Sequence, residues 1–286
     1  MLYATPYSIN FTTTLEMENK DVTSEKPKIT AMNVSIVICA YNEEKTIAEV
    51  VESCYKHCPN AEIIVVDDGS TDSTPTILKT LSSKLPIKYE QLAENKGKSW
   101  AMAYGVEKSA GEIILFFDAD VSNIQGEHFY KLLAPLFAGE ADMVLGQPSE
   151  TLIDYRINPF KSLTGERALF KKDIVPLIND IRDVRFGVET FLNLYYQSVG
   201  KKIEYVLLNE LIHPTKYEKT STINATKEFV NEGQEIFLTL LWNYKLIVKR
   251  VELLITNTNS KAVKEINEVQ IAINKNLTSI KNKITL

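Results

Sequence analysis

Three apolar runs and one weaker strand-like segment alternate with amphipathic segments between Val34 and Asp120, and two of those runs end in acids. Val34-Ser-Ile-Val-Ile-Cys39 is β-branched and fits a central strand. From Lys45 to Cys58, apolar residues at Ile47, Val50, Val51, Cys54 and Tyr55 form a helical stripe that Pro59-Asn60 breaks. Glu62-Ile-Ile-Val-Val66 is a second buried strand, ending in Asp67-Asp68-Gly69. Asp72 or Ser73 caps a helix through Leu81 that carries Pro75 in its first turn. Pro86 to Leu92 is a weaker third strand, and Asn95-Lys96-Gly97-Lys98 opens a helix through Ser109. Glu112-Ile-Ile-Leu-Phe-Phe-Asp118-Ala-Asp120 closes the series with an apolar run that ends abruptly in two carboxylates. Strand–helix alternation of this kind predicts a mostly parallel sheet with helices on both faces. The carboxyl ends of parallel strands share one edge, so Asp67, Asp68, Asp118 and Asp120 are expected to converge there. Two acids side by side repel each other unless a cation lies between them. A divalent metal is the usual solution, because hard cations take oxygen ligands. The plain alternative is a pair of solvated turn acids.

Composition bounds the rest. The 286 residues suffice for one large domain with appendages, and 44% hydrophobic with 24% charged residues is ordinary for a globular protein. A net charge of −5 argues against nucleic acid as a partner, since neutralising phosphates needs clustered Lys and Arg. Cys39, Cys54 and Cys58 do not make a disulfide framework and suit a reducing, cytoplasmic setting. Cys54 and Cys58 have helical spacing and read as packing residues. The N-terminus lacks a basic region followed by a sustained apolar core, so no secretory leader is expected. No uncharged apolar stretch is long enough to span a bilayer.

Residues 1–32 lack periodicity and read as a flexible leader. Past Asp120, a helix is expected over Gly126 to Gly139, a strand over Ala141 to Gly146, a helix from about Phe186 to Val199 and a strand over Lys202 to Leu208. Residues 33–222 are taken as the catalytic-type α/β domain and 223–286 as a C-terminal helical extension. Within the extension, Ile236 to Ile255 has a broad apolar face with Lys245, Lys249 and Arg250 on its other sides. Such a helix suits either a membrane interface or the core of a subdomain. Val263, Ile266, Gln270, Ile273, Leu277, Ile280 and Ile284 make a heptad-like seam, fit to pack on its own domain or against a second copy in a homo-oligomer.

Four linked motifs, Val34 to Glu43, Val65-Val-Asp-Asp-Gly-Ser-Thr-Asp72, Asn95-Lys-Gly-Lys98 and Phe117-Asp-Ala-Asp120, resemble in order and spacing those of the family 2 glycosyltransferases. The resemblance is strong over about residues 33 to 150 and looser to about 220. It extends to the dolichyl-phosphate mannosyltransferase and glucosyl-phosphoglycerate synthase branches without preference for either. It implies a GT-A (Rossmann-like) α/β fold and transfer of a sugar from a UDP- or GDP-sugar to an acceptor. It further implies a divalent metal, Mn²⁺ or Mg²⁺. A departing nucleoside diphosphate gathers negative charge that such a metal stabilises as a Lewis acid.

The resemblance also implies residue roles. Asp120 is the first-choice metal ligand, and Asp118 resembles the family's first aspartate, facing the ribose or the metal's water shell. His213, after the strand near residue 208, occupies the place of a third ligand, although a lone histidine is more often structural. Ala40, Tyr41 and Glu43 resemble the nucleotide-base pocket. Asp67 resembles the acid that accepts a pyrimidine imide N–H, with Asp68 left to stabilise the Gly69-Ser70 turn. Lys98, more than Lys96, is placed near the diphosphate at a helix N-terminus; solvated surface lysine is the alternative. Glu189 is the candidate acceptor-side general base, an assignment no stronger than that of a helix-N-terminal glutamate favoured by the macrodipole. Gly165, Glu166 and Arg167 resemble the acceptor loop, where Arg167, Arg182 or Arg185 could grip a phosphate. His57 and His128 read as surface histidines without a role. The family usually inverts the anomeric centre, and its phosphoglycerate branch includes retaining enzymes. The acceptor stays open between a polyprenyl phosphate, with peripheral contact at the cytoplasmic face of a membrane, and a small soluble molecule. A noncatalytic nucleotide-sugar-binding or scaffold protein is the competing class, disfavoured by the intact Asp67, Asp118 and Asp120.

Overall fold

The computed structural model describes residues 33–148, 164–184, 187–213 and 243–256. The first half runs β1 (Val34–Ala40), α1 (Ile47–His57), β2 (Glu62–Asp67), α2 (Thr74–Lys84), β3 (Ile87–Gln91), α3 (Lys98–Lys108) and β4 (Ile113–Asp118). The second half runs α4 (Gly126–Phe137), β5 (Met143–Pro148), β6 (Arg167–Phe170), α5 (Lys171–Ile174), a 3₁₀ turn (Val175–Leu177), α6 (Ile178–Asp183), α7 (Val188–Ser198), β7 (Ile203–Leu208) and α8 (Tyr244–Thr256). Seven strands form one sheet in the order β3-β2-β1-β4-β6-β5-β7. All neighbours pair in parallel except β6, which runs antiparallel to both β4 and β5. The expected α/β class is therefore the one observed.

Strand periodicity divides the sheet into two faces. Ile36, Ile38, Ile63, Val65, Ile113, Leu115 and Phe117 belong to one core with Val50, Val51 and Cys54 of α1, Leu78 of α2, and Phe129, Leu132 and Leu133 of α4. Val37, Ile114, Phe116, Met143 and Leu145 belong to the other core with Met102 and Val106 of α3, Ile181 of α6, and Val188, Phe191 and Tyr196 of α7. The helix α3 lies unusually near the sheet. A Cβ on Gly105 would collide with Val37 Cγ1, so only glycine permits that approach.

Three readings change with the structure in hand. The strand β6 was not foreseen, because Arg-Ala-Leu-Phe is too short and too charged at its start to show strand alternation. Its pairing supplies the pattern: Ala168 joins the first core and Leu169 the second. His128 is not a surface residue but is 1% exposed. Its Nδ1 accepts from the Gln125 backbone N–H at 3.2 Å in a capping box for α4, and its Nε2 lies 2.7 Å from the Asn209 carbonyl. Burial lowers its pKa, and the Asn209 hydrogen bond opposes that shift. The segment from Ile236 to Ile255 is seen only over α8, which packs on α7, with Leu246 against the second core. The leader over 1–32, the boundary near 222 and the seam from Val263 to Ile284 lie outside the described residues.

Candidate active site

The two acids after β4 sit at the carboxyl edge of the sheet, where β1, β2 and β4 end together. Asp118 pairs in register with Cys39, and Ala40 with Asp67. The loop beyond Asp118 is tied from both sides. Thr46 Oγ1 donates to the Ala119 carbonyl at 2.8 Å, and Ser122 exchanges backbone hydrogen bonds with Ile212 at 3.0 and 3.1 Å. Asn123 Nδ2 and Gln125 Nε2 both donate to Glu210, at 2.9 Å each. This antiparallel bridge brings His213 beside the acids. One ligand atom each from Asp118, Asp120 and His213 lie within 4.8 Å of one another. Two carboxylates and one imidazole, all partly buried, make a donor set that suits a divalent metal. His213 Nε2 is buried without a hydrogen bond and lies 3.5 Å from Glu166 Oε2.

Lys98 links the two halves of the cleft. Its Nζ lies 2.9 Å from Asp118 Oδ1 and 3.0 Å from Glu189 Oε1. Lys98 keeps 41% of its side chain exposed, so burial works only in part against the ammonium, and the two carboxylates outweigh it and raise the lysine well above its ordinary value. Glu189 enters from the first turn of α7, which starts at a left-handed Gly187 (φ 75°). Lys98 is placed by Asp68 rather than by its own helix. Asp68 Oδ1 and Oδ2 accept from the Lys96 and Gly97 backbone N–H groups at 2.8 Å each. The Gly69-Ser70 turn is instead held by Asp67, whose Oδ1 accepts from the Ser70 N–H at 2.9 Å. The expected assignment of that turn to Asp68 is thus reversed. An acid doublet before glycine signals a turn, but only the packed loops decide which acid faces which way.

The residues expected to form a base pocket lie at the same edge. Tyr41 is 44% exposed at the mouth of the cleft, and Ala40 is buried with its carbonyl accepting the Asp68 N–H at 2.8 Å. Asn42 adopts φ 57° and its Oδ1 accepts the Thr71 N–H at 2.8 Å, while Glu43 N–H donates to Thr74 Oγ1 at 2.9 Å. The loops after β1 and β2 are therefore one unit. Asp67 is fully buried, and its second oxygen accepts from the Tyr89 hydroxyl at 3.1 Å.

The segment expected to resemble an acceptor loop, Gly165 to Arg167, is buried. Glu166 and Arg167 are both 0% exposed. Arg167 donates to the Thr164 carbonyl at 2.5 Å and to the Glu189 carbonyl at 3.5 Å, so it braces the helix that carries Glu189 instead of gripping a phosphate. Arg182 is also engaged, paired with Glu107 at 2.5 Å and set 5.2 Å from the Trp100 ring. Arg185 lies outside the described residues. Gly165 is pressed against Asp118: a Cβ there would collide with both carboxylate oxygens. Burial raises the Glu166 carboxyl, Asp118 adds to the rise, and His213 and the Thr164 hydroxyl oppose it. Opposite charges directly after a glycine were the only sequence sign of this buried layer.

An open α/β sheet here gathers acids, a lysine and a histidine at its carboxyl edge, where folds of the doubly wound class place their ligands. The model of glycosyl transferase family 2 matches residues 35–191, more than half of the chain, and the chain belongs to that family. It is 29% identical over 228 residues to a dolichol-phosphate mannosyltransferase of Pyrococcus furiosus, covering 76% of this chain and 64% of that protein. It is 27% identical over 236 residues to a UDP-N-acetylglucosamine–dolichyl-phosphate N-acetylglucosaminyltransferase of Methanococcus voltae, covering 74% of this chain and 88% of that one. The chain thus spans less than two thirds of the first relative's length. Among solved structures, glucosyl-3-phosphoglycerate synthase from Mycobacterium tuberculosis, in complex with Mn²⁺, UDP and phosphoglyceric acid, superposes with a TM-score of 0.57. The identity is 22%, over 73% of this chain and 78% of that chain, a likeness of fold.

Proposed function

We propose that this chain transfers a glycosyl group from a nucleotide-diphosphate sugar, a UDP- or GDP-sugar, to a phosphate-bearing acceptor. The convergence of Asp118, Asp120 and His213 within 4.8 Å at the carboxyl edge carries the reading. Those three residues would hold Mn²⁺ or Mg²⁺, which when bound neutralises charge on the departing diphosphate. Tyr41 flanks the base at the cleft mouth. Asp67 is the acid on the base side, and the Tyr89 hydroxyl is the group that yields when an imide N–H takes its place. Lys98, now shared by Asp118 and Glu189, supplies positive charge to the diphosphate.

The acceptor class rests on the family relatives that match most of this chain's length, whose names specify dolichyl phosphate. A phosphate nucleophile is already deprotonated at neutral pH, so Glu189 then positions Lys98 and the sugar. With a hydroxyl acceptor, the same carboxylate would remove the nucleophile's proton. The family's usual outcome supports direct displacement with inversion, and the anomeric configuration of the product decides between inversion and retention by NMR. No described helix is long and apolar enough to cross a membrane. A lipid acceptor would therefore be met by peripheral contact of the described domain with the membrane surface.

The test is a panel of UDP- and GDP-sugars with Mn²⁺ or Mg²⁺, read by thermal shift and by sugar release, with dolichyl phosphate or a soluble phosphate added as acceptor. One base should be preferred, and Asp120→Asn should abolish the metal-dependent part. Failure of every nucleotide to bind in the presence of metal would overturn the enzyme reading in favour of a scaffold.

A further inference from the structure

Glu166 is fully buried beside the candidate metal cluster and has no part in the reaction as described. Its backbone is fixed by β5, where the Gly146 N–H donates to its carbonyl at 2.9 Å. One side-chain oxygen, Oε2, accepts from Thr164 Oγ1 at 2.8 Å and lies 3.5 Å from His213 Nε2. The other, Oε1, is buried without a hydrogen-bond partner, and so is His213 Nε2. Arg167, next in the chain, directs its NH groups to the carbonyls of Thr164 and Glu189. A carboxylate closed off from water is costly unless a donor or cation meets it. A buried imidazole nitrogen carries the same demand. Each group is placed to meet the other's need, one small ring rotation away from a hydrogen bond.

We propose that Glu166 is the positioning residue for His213, its buried carboxylate taking the Nε2–H and so fixing the tautomer that leaves Nδ1 to complete the cluster with Asp118 and Asp120. This rests on the metal reading above. Glu166 itself stays outside the ligand set. Histidine ligands depend on such a partner for ring orientation and basicity, and its loss typically weakens metal binding by about 10–100-fold.

The experiment titrates Mn²⁺ into the full chain with UDP present, followed by electron paramagnetic resonance. It compares wild type, Glu166→Ala, Glu166→Gln, His213→Ala and the double variant Glu166→Ala/His213→Ala. Glu166→Ala should bind Mn²⁺ about 10–100-fold more weakly. It should also lose the spin-echo modulation that a ligating imidazole nitrogen gives the wild type. Glu166→Gln keeps an acceptor for Thr164 but lacks the charge, and should fall between the two. In the His213→Ala background, Glu166→Ala should cost nothing further. An equal loss in that background would make Glu166 an independent ligand and overturn the assignment. Wild-type affinity and modulation in both Glu166 variants would overturn it as well. Melting without metal controls for folding, and if Glu166→Ala does not fold, the isosteric Gln variant decides. Wild type that binds no Mn²⁺ overturns the metal reading and this inference together. Wild type that binds, with Glu166 variants that bind equally well, overturns this inference alone.

Discussion

Lys98 holds a position that no single neighbour explains. It lies between an acid of the metal cluster and the acid at the head of α7, and both distances are those of direct ion pairs. A bound cation and Lys98 therefore compete for Asp118. Lys98→Met should raise Mn²⁺ affinity in the absence of nucleotide by a few-fold. This matches the loss of about 1 kcal/mol of competing attraction between unit charges 4 Å apart in a water-like dielectric. The same variant should weaken nucleoside-diphosphate binding, because the diphosphate loses a cation. Calorimetric titrations with Mn²⁺ alone and with UDP plus Mn²⁺ separate the two effects, and a fall in both would show that Lys98 does not compete with the metal. Gly165 tests the opposite wall. In Gly165→Ala the new methyl must displace the Asp118 carboxylate, since both oxygens stand in its way. Overpacking of this kind costs about 1–3 kcal/mol. Mn²⁺ binding should fall much more than the melting temperature does, and unaltered Mn²⁺ binding would show that Asp118 has room to retreat.

Among the elements, the amino-terminal edge of the sheet has its own electrostatic brace. Glu62, at the start of β2, accepts from Ser35 Oγ of β1, from Lys88 Nζ of β3 and from the Ala110 N–H ahead of β4, the last at 2.7 Å. Burial works to raise its carboxyl, but these three donors outweigh it and hold it below the ordinary carboxylate value. A depressed carboxylate contributes stability that is present above its unfolded pKa and lost as pH falls through the folded one. Glu62→Gln should therefore cost about 2 kcal/mol near neutrality, the scale of hydrogen bonds to a charged group. The difference from wild type should shrink as pH falls below about 4, where the wild-type carboxyl also protonates. Urea melts across that range read both, and a pH-independent difference would mean that the loss is steric. Element order from β1 to β4 was legible because β1, β2 and β4 carry strong apolar runs and α1 a clean stripe, with β3 the weakest of the series. The strand β6 and the helices α5 and α6 were not, since short segments rich in charge acquire their pattern only from the strands and helices they pack against.

For the whole molecule, binding and stability are linked. A ligand that binds only the folded chain stabilises it by about 2.7 kcal/mol at a hundredfold excess over its dissociation constant. At roughly 2–4 °C per kcal/mol for a domain of this size, Mn²⁺ with the correct UDP- or GDP-sugar should raise the melting temperature by about 5–11 °C. EDTA should remove the metal-dependent part of that rise. Scanning calorimetry checks this, and a nucleotide shift indifferent to EDTA would count against a metal-bridged donor.

The local order of residues determined the class of fold and the address of the cleft. Parallel strands necessarily bring their carboxyl ends to one edge, so Asp67, Asp118 and Asp120 were bound to meet there once the alternation was read. Chain order cannot say which side chain at that edge faces another. The Ser122–Ile212 bridge delivers His213 to the acids, the close approach of Gly165 fixes Asp118, and burial turns Glu166 and Arg167 inward. Those outcomes belong to the tertiary structure, because each depends on a contact between segments distant in sequence whose strength comes from excluding water at the meeting point.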